Sequence, residues 1–119
     1  MSDRTASERQ GRRAEWLAAA FLQMKGYRVL ARRFKAAGGE IDIAARRGSV
    51  LVFAEVKTRA RLDDAIFAVT PAARRRIETA GRAFLASRPH LADLGVRYDI
   101  IAFGGAKVRH IRDAWRSER

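Results

Sequence analysis

The apolar residues near the start of the chain recur at the spacing of a helix. They predict a first helix from about Glu8 to Lys25, with Ser7 as its N-cap and Gly26 just beyond its end. The side of this helix that faces the core is expected to carry Ala14, Leu17, Ala18, Phe21 and Met24. Residues 1–6 and 116–119 lie outside the predicted elements and are expected to form flexible tails.

Three extended segments follow, at residues 27–34, 40–45 and 49–58. The first mixes apolar with basic residues and is expected to be an exposed edge strand. The third is the most apolar run in the chain, which predicts a central strand, and the short turn before it predicts an antiparallel hairpin with the second. Because side chains alternate along a strand, the second segment is expected to turn two isoleucines to one face and two acidic residues to the other. These are Ile41 and Ile43 on one side, and Glu40 and Asp42 on the other.

A second helix is expected to begin at Thr70-Pro71, because threonine is a good N-cap and proline suits the first helical position. Pro89 marks its end, and its buried side is expected to carry Ala73, Ile77, Ala80 and Phe84. Two more strands are predicted at residues 96–103 and 107–111. The resulting order, α-β-β-β-α-β-β, indicates one α/β domain over residues 1–119, a sandwich in which a mixed central sheet carries the helices.

Composition narrows the classes of function that this fold can serve. The 119 residues include no cysteine, which excludes disulfides and thiolate metal sites. No apolar stretch approaches the roughly 20 residues that cross a bilayer, and the first residues do not resemble a signal peptide, so we expect a cytoplasmic protein with no membrane partner. The net charge is +12. Nucleic acid is the usual partner for such a charge, although an arginine-rich genome would produce the same excess.

Charged residues stand in the two strands that are expected to be central. Glu55 and Lys57 lie two positions apart in the most apolar strand, so their side chains share a face, and hairpin pairing can bring Asp42 close to them. Converging carboxylates repel each other unless a cation lies between them, and carboxylate oxygens suit Mg²⁺ or Mn²⁺. Lys57 could then orient a metal-bound water or hold the phosphate under attack, a geometry that hydrolyses phosphodiesters. A buried salt bridge, joining Glu55 to Lys57 or Asp42 to an arginine, is the structural alternative.

The motif Gly39-Glu40-Ile41-Asp42, followed by Val52-Phe53-Ala54-Glu55-Val56-Lys57-Thr58-Arg59, resembles the signature of the YraN family of bacterial proteins. The resemblance extends over roughly residues 11 to 103. Members of that family are small predicted endonucleases, similar in fold to archaeal Holliday-junction resolvases and to restriction enzymes. The resemblance therefore implies a restriction-endonuclease-like fold of the PD-(D/E)xK type. It also implies a metal-dependent endonuclease acting on DNA, for which branched or other non-duplex DNA is one candidate substrate.

The resemblance also implies roles for individual residues. Asp42 and Glu55 match the acidic pair that binds the metal, Mg²⁺ or Mn²⁺, and Lys57 matches the catalytic lysine. Glu15 matches an acidic residue of the first helix that often completes the metal site of related nucleases, although by itself it would be a solvated helix residue. Glu40 could be an outer ligand or could pair with an arginine.

Polar and basic residues around this site are expected to hold the phosphate backbone of DNA without reading its bases. The candidates are Thr58, Arg59 and Arg61 beside Lys57, Arg74 and Arg75 on the second helix, and Arg12 and Arg13 on the first. A homodimer is compatible with this reading, because junction-cutting enzymes require two subunits. Two other classes stay open: a non-catalytic nucleic-acid-binding module on a nuclease scaffold, and a structural protein whose acidic pair is salt-bridged.

Overall fold

The structure is a computed structural model that describes residues 2–117. In chain order the elements are α1 (Ser2–Met24), β1 (Arg28–Ala36), β2 (Gly39–Arg47), β3 (Val50–Arg59), α2 (Leu62–Phe67), α3 (Pro71–Ala86), β4 (Gly95–Gly104) and β5 (Lys107–Trp115). A 3₁₀ turn, Pro89–Leu91, connects α3 to β4. The observed order is therefore α-β-β-β-α-α-β-β, and the predicted order is wrong by one helix.

The five strands form one mixed sheet in the order β1-β2-β3-β4-β5. β2 and β3 form the predicted antiparallel hairpin, and β1 lies at an edge as predicted. β3 runs parallel to β4, since α2 and α3 carry the chain back between them, and β5 pairs antiparallel with β4 at the other edge. The predicted α/β class, the mixed sheet and the central position of β3 are confirmed.

Helices cover both faces of the sheet. α1 packs on one face, where Leu22 lies in a cluster with Val52 of β3. α2 and α3 pack on the other face, where Phe84 meets Phe53 edge-on. Successive side chains of β3 therefore point to opposite helices, and Glu55 continues the side of Phe53, toward α3.

The first helix begins earlier than the sequence predicts. α1 starts at Ser2, so Ser7 lies inside the helix and is not its N-cap. The predicted tail over residues 1–6 is therefore helical from Ser2 onward, while Met1 and residues 118–119 lie outside the described range. Across residues 2–117, no helix is long and apolar enough to cross a membrane.

The buried side of α1 is also rotated from its predicted position. Leu17 is 43% exposed and Met24 is 88% exposed, so their assignment to the core is wrong. The residues that are buried are Ala14, Ala18, Ala19 and Leu22. Alanines at successive turns let the helix lie close to the sheet, and this close approach turns the larger neighbouring residues outward.

The alternation of side chains breaks at Arg33 in β1 and at Asp42 in β2, in addition to an irregularity of β1 between Val29 and Ala31. The flanking pairs are Arg32 with Ile43 and Phe34 with Ile41. Ile43 packs beneath α1 whereas Ile41 packs beneath α3, so the prediction that both isoleucines share a face is wrong. The physical reason lies partly in β1, where Arg33 has a left-handed backbone (φ 55°) that moves the rest of the strand to the other face. Both strands change sides together, which keeps their apolar residues buried.

The helix that the sequence did not reveal is α2 (Leu62–Phe67). Six residues are too few for a helical period to show in the sequence. A weaker signal was present, because Asp63 and Asp64 in its first turn favour a helix N-terminus. The helix lies directly on β4, where a Cβ atom added to Gly104 would lie 2.3 Å from the backbone nitrogen of Leu62.

The second long helix, α3, begins as predicted. The Ala73 N–H donates to Thr70 Oγ1 at 3.2 Å, and Pro71 occupies the first turn. Three of the residues predicted for its buried side are buried: Ile77, Ala80 and Phe84. The fourth, Ala73, is half-buried because it borders the cleft described next.

Candidate active site

A cleft of about 420 Å³ opens where the middle of α1 and the first turns of α3 meet the start of β2 and the end of β3. Four acidic residues from three elements line it: Glu15 of α1, Glu40 and Asp42 of β2, and Glu55 of β3. Lys57 lines the same cleft. The residues that the sequence predicted as catalytic, which are far apart in the chain, therefore meet in one place.

Gly39 sets the approach of α3 to this cleft. A Cβ atom at this position would lie 1.9 Å from the backbone oxygen of Arg76, so only glycine allows the helix to pass so close to the start of β2. The contact brings the first turns of α3 to the cleft, where Ala73 and Arg76 form part of its wall. The glycine that opens the Gly39-Glu40-Ile41-Asp42 motif thus shapes the site without contributing a side chain.

The cleft exists because β2 and β3 part from each other. Their backbone pairing ends at Ile43 and Ala54. Beyond that point the Val56 N–H donates to Asp42 Oδ2 at 2.8 Å, so a carboxylate replaces the missing backbone partner. This bond holds the Asp42 carboxylate against β3, beside the neighbouring residue Glu55.

Glu55 carries the most perturbed carboxyl group of the cleft, with its residue only 9% exposed. Burial raises the pKa of Glu55 to about 9, and the adjacent Asp42 carboxyl adds to the rise through hydrogen bonding and charge repulsion. Lys57 Nζ lies 3.6 Å from Glu55 Oε2 and opposes the rise without cancelling it. The acidic pair is therefore short of positive charge.

Glu15 reaches the cleft from α1 and is held by an ion pair. Arg33 Nε donates to Glu15 Oε1 at 2.6 Å, and the Glu15 side chain is 16% exposed. Burial raises the pKa of Glu15, the hydrogen bond from Arg33 lowers it, and the nearby Asp42 and Glu40 raise it further. Glu15 is thus neither a solvated helix residue nor free to ligate a metal in this arrangement.

The residues present fit a magnesium site built on two carboxylates. Over the described residues, no group of three or more acidic or histidine side chains is arranged to hold a metal ion. Mg²⁺ commonly uses one or two protein carboxylates and keeps several waters, a requirement that Asp42 and Glu55 meet. Thr58 Oγ1, at the wall of the cleft, is buried without a hydrogen-bond partner, and an ordered water of such a site would provide one.

Two of the predicted backbone-binding residues, Thr58 and Arg59, line the cleft. Arg12 and Arg13 are exposed on α1 outside it, and Arg61 is exposed at the start of α2. None of these three arginines is among the residues that line the cleft.

The predicted pair on α3 points away from the cleft. Arg74 donates to the Val69 carbonyl at 3.2 Å and lies over the Trp115 ring, and Arg75 borders the same groove as Trp115. Arg76, the next residue of the same helix, lines the cleft instead. Helical spacing was the available signal, since Arg76 lies one turn from Ala73 on the side that faces β2.

Known protein sequences resemble this chain over most of its length. The model of a family described as "Uncharacterised protein family UPF0102" matches residues 14–103. A UPF0102 protein of Paramagnetospirillum magneticum is 50% identical over 116 residues, which cover 93% of this chain and 90% of the relative. UPF0102 proteins of Rhodopseudomonas palustris (strain BisB18) and Parvibaculum lavamentivorans are each 46% identical, covering 95% and 93% of this chain and 84% of each relative.

Proposed function

The chain belongs to the uncharacterised protein family UPF0102, and we propose that it is a metal-dependent endonuclease that hydrolyses phosphodiester bonds of DNA. We propose further that the fold is restriction-endonuclease-like. The sequence motifs imply that the chain is an endonuclease of the YraN type. Asp42 and Glu55 would hold Mg²⁺ or Mn²⁺, with Glu15 as a further ligand once it leaves Arg33. A homodimer and a cytoplasmic location stay predictions.

The observation that carries this proposal is the unsatisfied charge of the Asp42–Glu55 pair. Two carboxyl groups lie side by side under substantial burial, and one nearby ammonium at 3.6 Å does not keep Glu55 ionised. A divalent cation between them would offset the repulsion and allow Glu55 to ionise beside Asp42. A hard cation with carboxylate ligands in a polar cleft is the arrangement expected of a phosphodiesterase.

A buried acid elsewhere in the molecule shows what a structural salt bridge looks like here. Asp99 is fully buried, and Arg97 donates to both of its oxygens at 2.9 Å while His110 Nε2 lies at 2.6 Å. Burial opposes the lowering, but these hydrogen bonds, from His110 first and then Arg97, together lower the pKa of Asp99. Asp99 is fully paired and Glu55 is not, which argues against a purely structural role for the pair in the cleft.

Different residues of the cleft would serve different steps of the hydrolysis. A bound divalent cation would lower the pKa of a water and offset charge on the attacked phosphate. Lys57 extends into the same cleft, with a side chain 29% exposed, and is placed to orient that water or to hold a phosphate oxygen. Arg59 lies two residues further along β3, is exposed at the cleft and can bind the adjacent phosphate.

The excess of basic residues supports DNA as the substrate. The net charge is +12, and the cleft that carries the four acidic residues is also lined by Lys57, Arg59 and Arg76. Basic side chains beside the acidic group can hold phosphates of a polyanion while the carboxylates hold the metal. Because these contacts would go to phosphates, we expect selection by DNA structure and little selection by sequence.

The experiment that tests the proposal is cleavage of single-stranded, duplex, flap and four-way DNA with Mg²⁺, with Mn²⁺ and with EDTA. Asp42→Asn and Glu55→Gln are compared with Asp93→Asn, which removes the same charge from an exposed residue outside the cleft. We expect metal-dependent cutting by the wild type and Asp93→Asn, lost in the two cleft variants. DNA binding that is equal in all four proteins, without cutting, would replace this proposal with the second candidate, a non-catalytic DNA-binding module.

A further inference from the structure

Arg33 has a backbone conformation that arginine rarely adopts. It and Asp113 are the two non-glycine residues with positive φ in the part of the chain that the structure describes, at 55° and 54°. For Asp113 the reason is visible, because its N–H donates to the buried Asp99 at 3.0 Å. Strained backbone persists only where the surrounding structure compensates for it, and it is concentrated at functional sites. Within residues 2–117, no comparable backbone hydrogen bond explains the positive φ of Arg33, so we look for its cause in what its side chain contacts.

The strained conformation places Arg33 at the acidic cleft. The residues on either side of Arg33 pair with Ile43 and Ile41, which flank Asp42. Arg33 and Asp42 therefore stand where both strands change faces. Its guanidinium reaches across to α1 and binds Glu15 at 2.6 Å. Arg32, the preceding residue on the same strand, instead borders a shallow groove beside Trp16. The change of face thus directs one of two adjacent arginines toward the site.

The ion pair places Arg33 and a cation in competition for the same carboxylate. Glu15 is the cleft acid with the closest ionic partner, at 2.6 Å, while Asp42 accepts from a backbone N–H and Glu55 is 3.6 Å from Lys57. A divalent ion at Asp42 and Glu55 would attract Glu15 and repel the guanidinium. The Arg33 side chain is 42% exposed at the rim, so it can turn outward without unfolding the strand.

We propose that Arg33 is a positioning residue that exchanges partners, holding Glu15 in the metal-free protein and transferring to a DNA phosphate when Glu15 turns to the metal. This inference rests on the proposed nuclease function and adds to it a coupling between the loading of metal and the grip on substrate. A guanidinium is suited to the exchange because its planar donors match carboxylate and phosphate equally well. No covalent step is involved, and the charge of the cleft changes only through the cation and the phosphate.

The test compares Arg33→Ala and Arg33→Gly with Arg32→Ala, which removes the same charge one residue away. Glycine adopts positive φ without strain, so Arg33→Gly keeps β1 intact and shows whether loss of folding explains any effect. Mn²⁺ binding to the protein without DNA is measured by titration, and cleavage of the preferred DNA is measured at saturating Mn²⁺. Arg33→Lys tests whether charge alone is sufficient.

We expect both Arg33 variants to bind Mn²⁺ roughly fivefold more tightly than the wild type, because a competing cation has been removed. The same variants should cut DNA at least about tenfold more slowly, because a phosphate contact is lost. Arg32→Ala should match the wild type in both measurements, and Arg33→Lys should recover part of the cleavage. Damage to the fold could not produce this result, since it would weaken metal binding and cleavage together.

Three results would overturn the inference. If both Arg33 variants behave as Arg32→Ala does while the wild type cuts DNA, the exchange does not occur and the proposed nuclease stands. If they lose Mn²⁺ affinity together with cleavage, Arg33 supports the fold and nothing more. If the wild type neither binds Mn²⁺ nor cuts DNA, the proposed function itself fails, and the inference fails with it.

Discussion

The substitution Glu55→Gln should make the metal-free protein more stable at alkaline pH. The folded-state pKa of Glu55 is raised from 4.5 to about 9, chiefly by burial and then by Asp42, so the folded protein keeps a proton that the unfolded chain releases. Stability from this group is fully present below pH 4.5 and is lost as the pH rises through about 9. Glutamine fills the same space, carries no charge at any of these pH values and removes the dependence.

The size of the effect follows from the width of the pH window. Between the unfolded-state pKa of 4.5 and the folded-state pKa of about 9, each pH unit lowers the unfolding free energy by about 1.4 kcal/mol. The unfolding free energy of the wild type should therefore fall by about 3 kcal/mol between pH 6 and pH 8 through Glu55 alone. Glu55 is 9% exposed, so solvent screens little of this cost. The variant should lose correspondingly less over the same interval, which makes it the more stable protein at pH 8.

The assay is urea unfolding in EDTA at pH 6, 7 and 8, repeated with saturating Mg²⁺. Asp93→Asn is the matched control, since it removes one carboxylate from an exposed position. Mg²⁺ should restore the stability of the wild type at pH 8 and leave Glu55→Gln unchanged, because the ion replaces the proton between the two carboxyl groups. Equal pH slopes for the wild type and Glu55→Gln would show that the folded protein does not hold the pKa of Glu55 above its ordinary value.

Three further substitutions test the packing of α3, the buried Asp99 ion pair and the role of Lys57 separately. Gly39→Ala should prevent stable folding, measured by circular dichroism, because its Cβ would lie 1.9 Å from the Arg76 backbone oxygen. Asp99→Asn should cost roughly 3–5 kcal/mol in urea unfolding, since it weakens the buried pair with Arg97, but should leave the Mn²⁺ affinity of the folded protein unchanged. Lys57→Met should retain Mn²⁺ binding in titrations while DNA cleavage falls by roughly 10²–10⁴-fold, and equal losses of both would contradict its role in the chemistry.

The parts of the fold that the sequence predicted are those with a strong local signal. The cap and buried side of α3 follow from Thr70-Pro71 and helical spacing, and the central strand follows from the apolar run that ends at Glu55. The C-terminal end of α1 was predicted to within one residue, but its start and its buried side were not. Its buried side is set by the small residues that allow close approach to the sheet, and larger ones such as Met24 are turned outward. α2 is too short to show a period, since tertiary contacts stabilise it.

The candidate site shows the same division. Asp42, Glu55 and Lys57 could be grouped from strand spacing, since a hairpin brings neighbouring strands together. The break in alternation at Arg33 and Asp42 could not be found, because it depends on two strands changing faces together and no residue type marks it. The basic residues were predicted least well: Arg74 turns to Trp115 and Arg76 enters the cleft, a difference of orientation on one helix that local sequence does not determine.

The most direct test of the central claim is anomalous diffraction from crystals of the protein grown with Mn²⁺ and a DNA fragment. We expect a metal ion bound by carboxylate oxygens of both Asp42 and Glu55 at about 2.1 Å, with a phosphate oxygen of the DNA among its other ligands. The same crystals would show whether the Glu15–Arg33 ion pair has opened. The proposed metal site is wrong if saturating Mn²⁺ leaves Asp42 and Glu55 without metal and Glu55 paired with Lys57 alone.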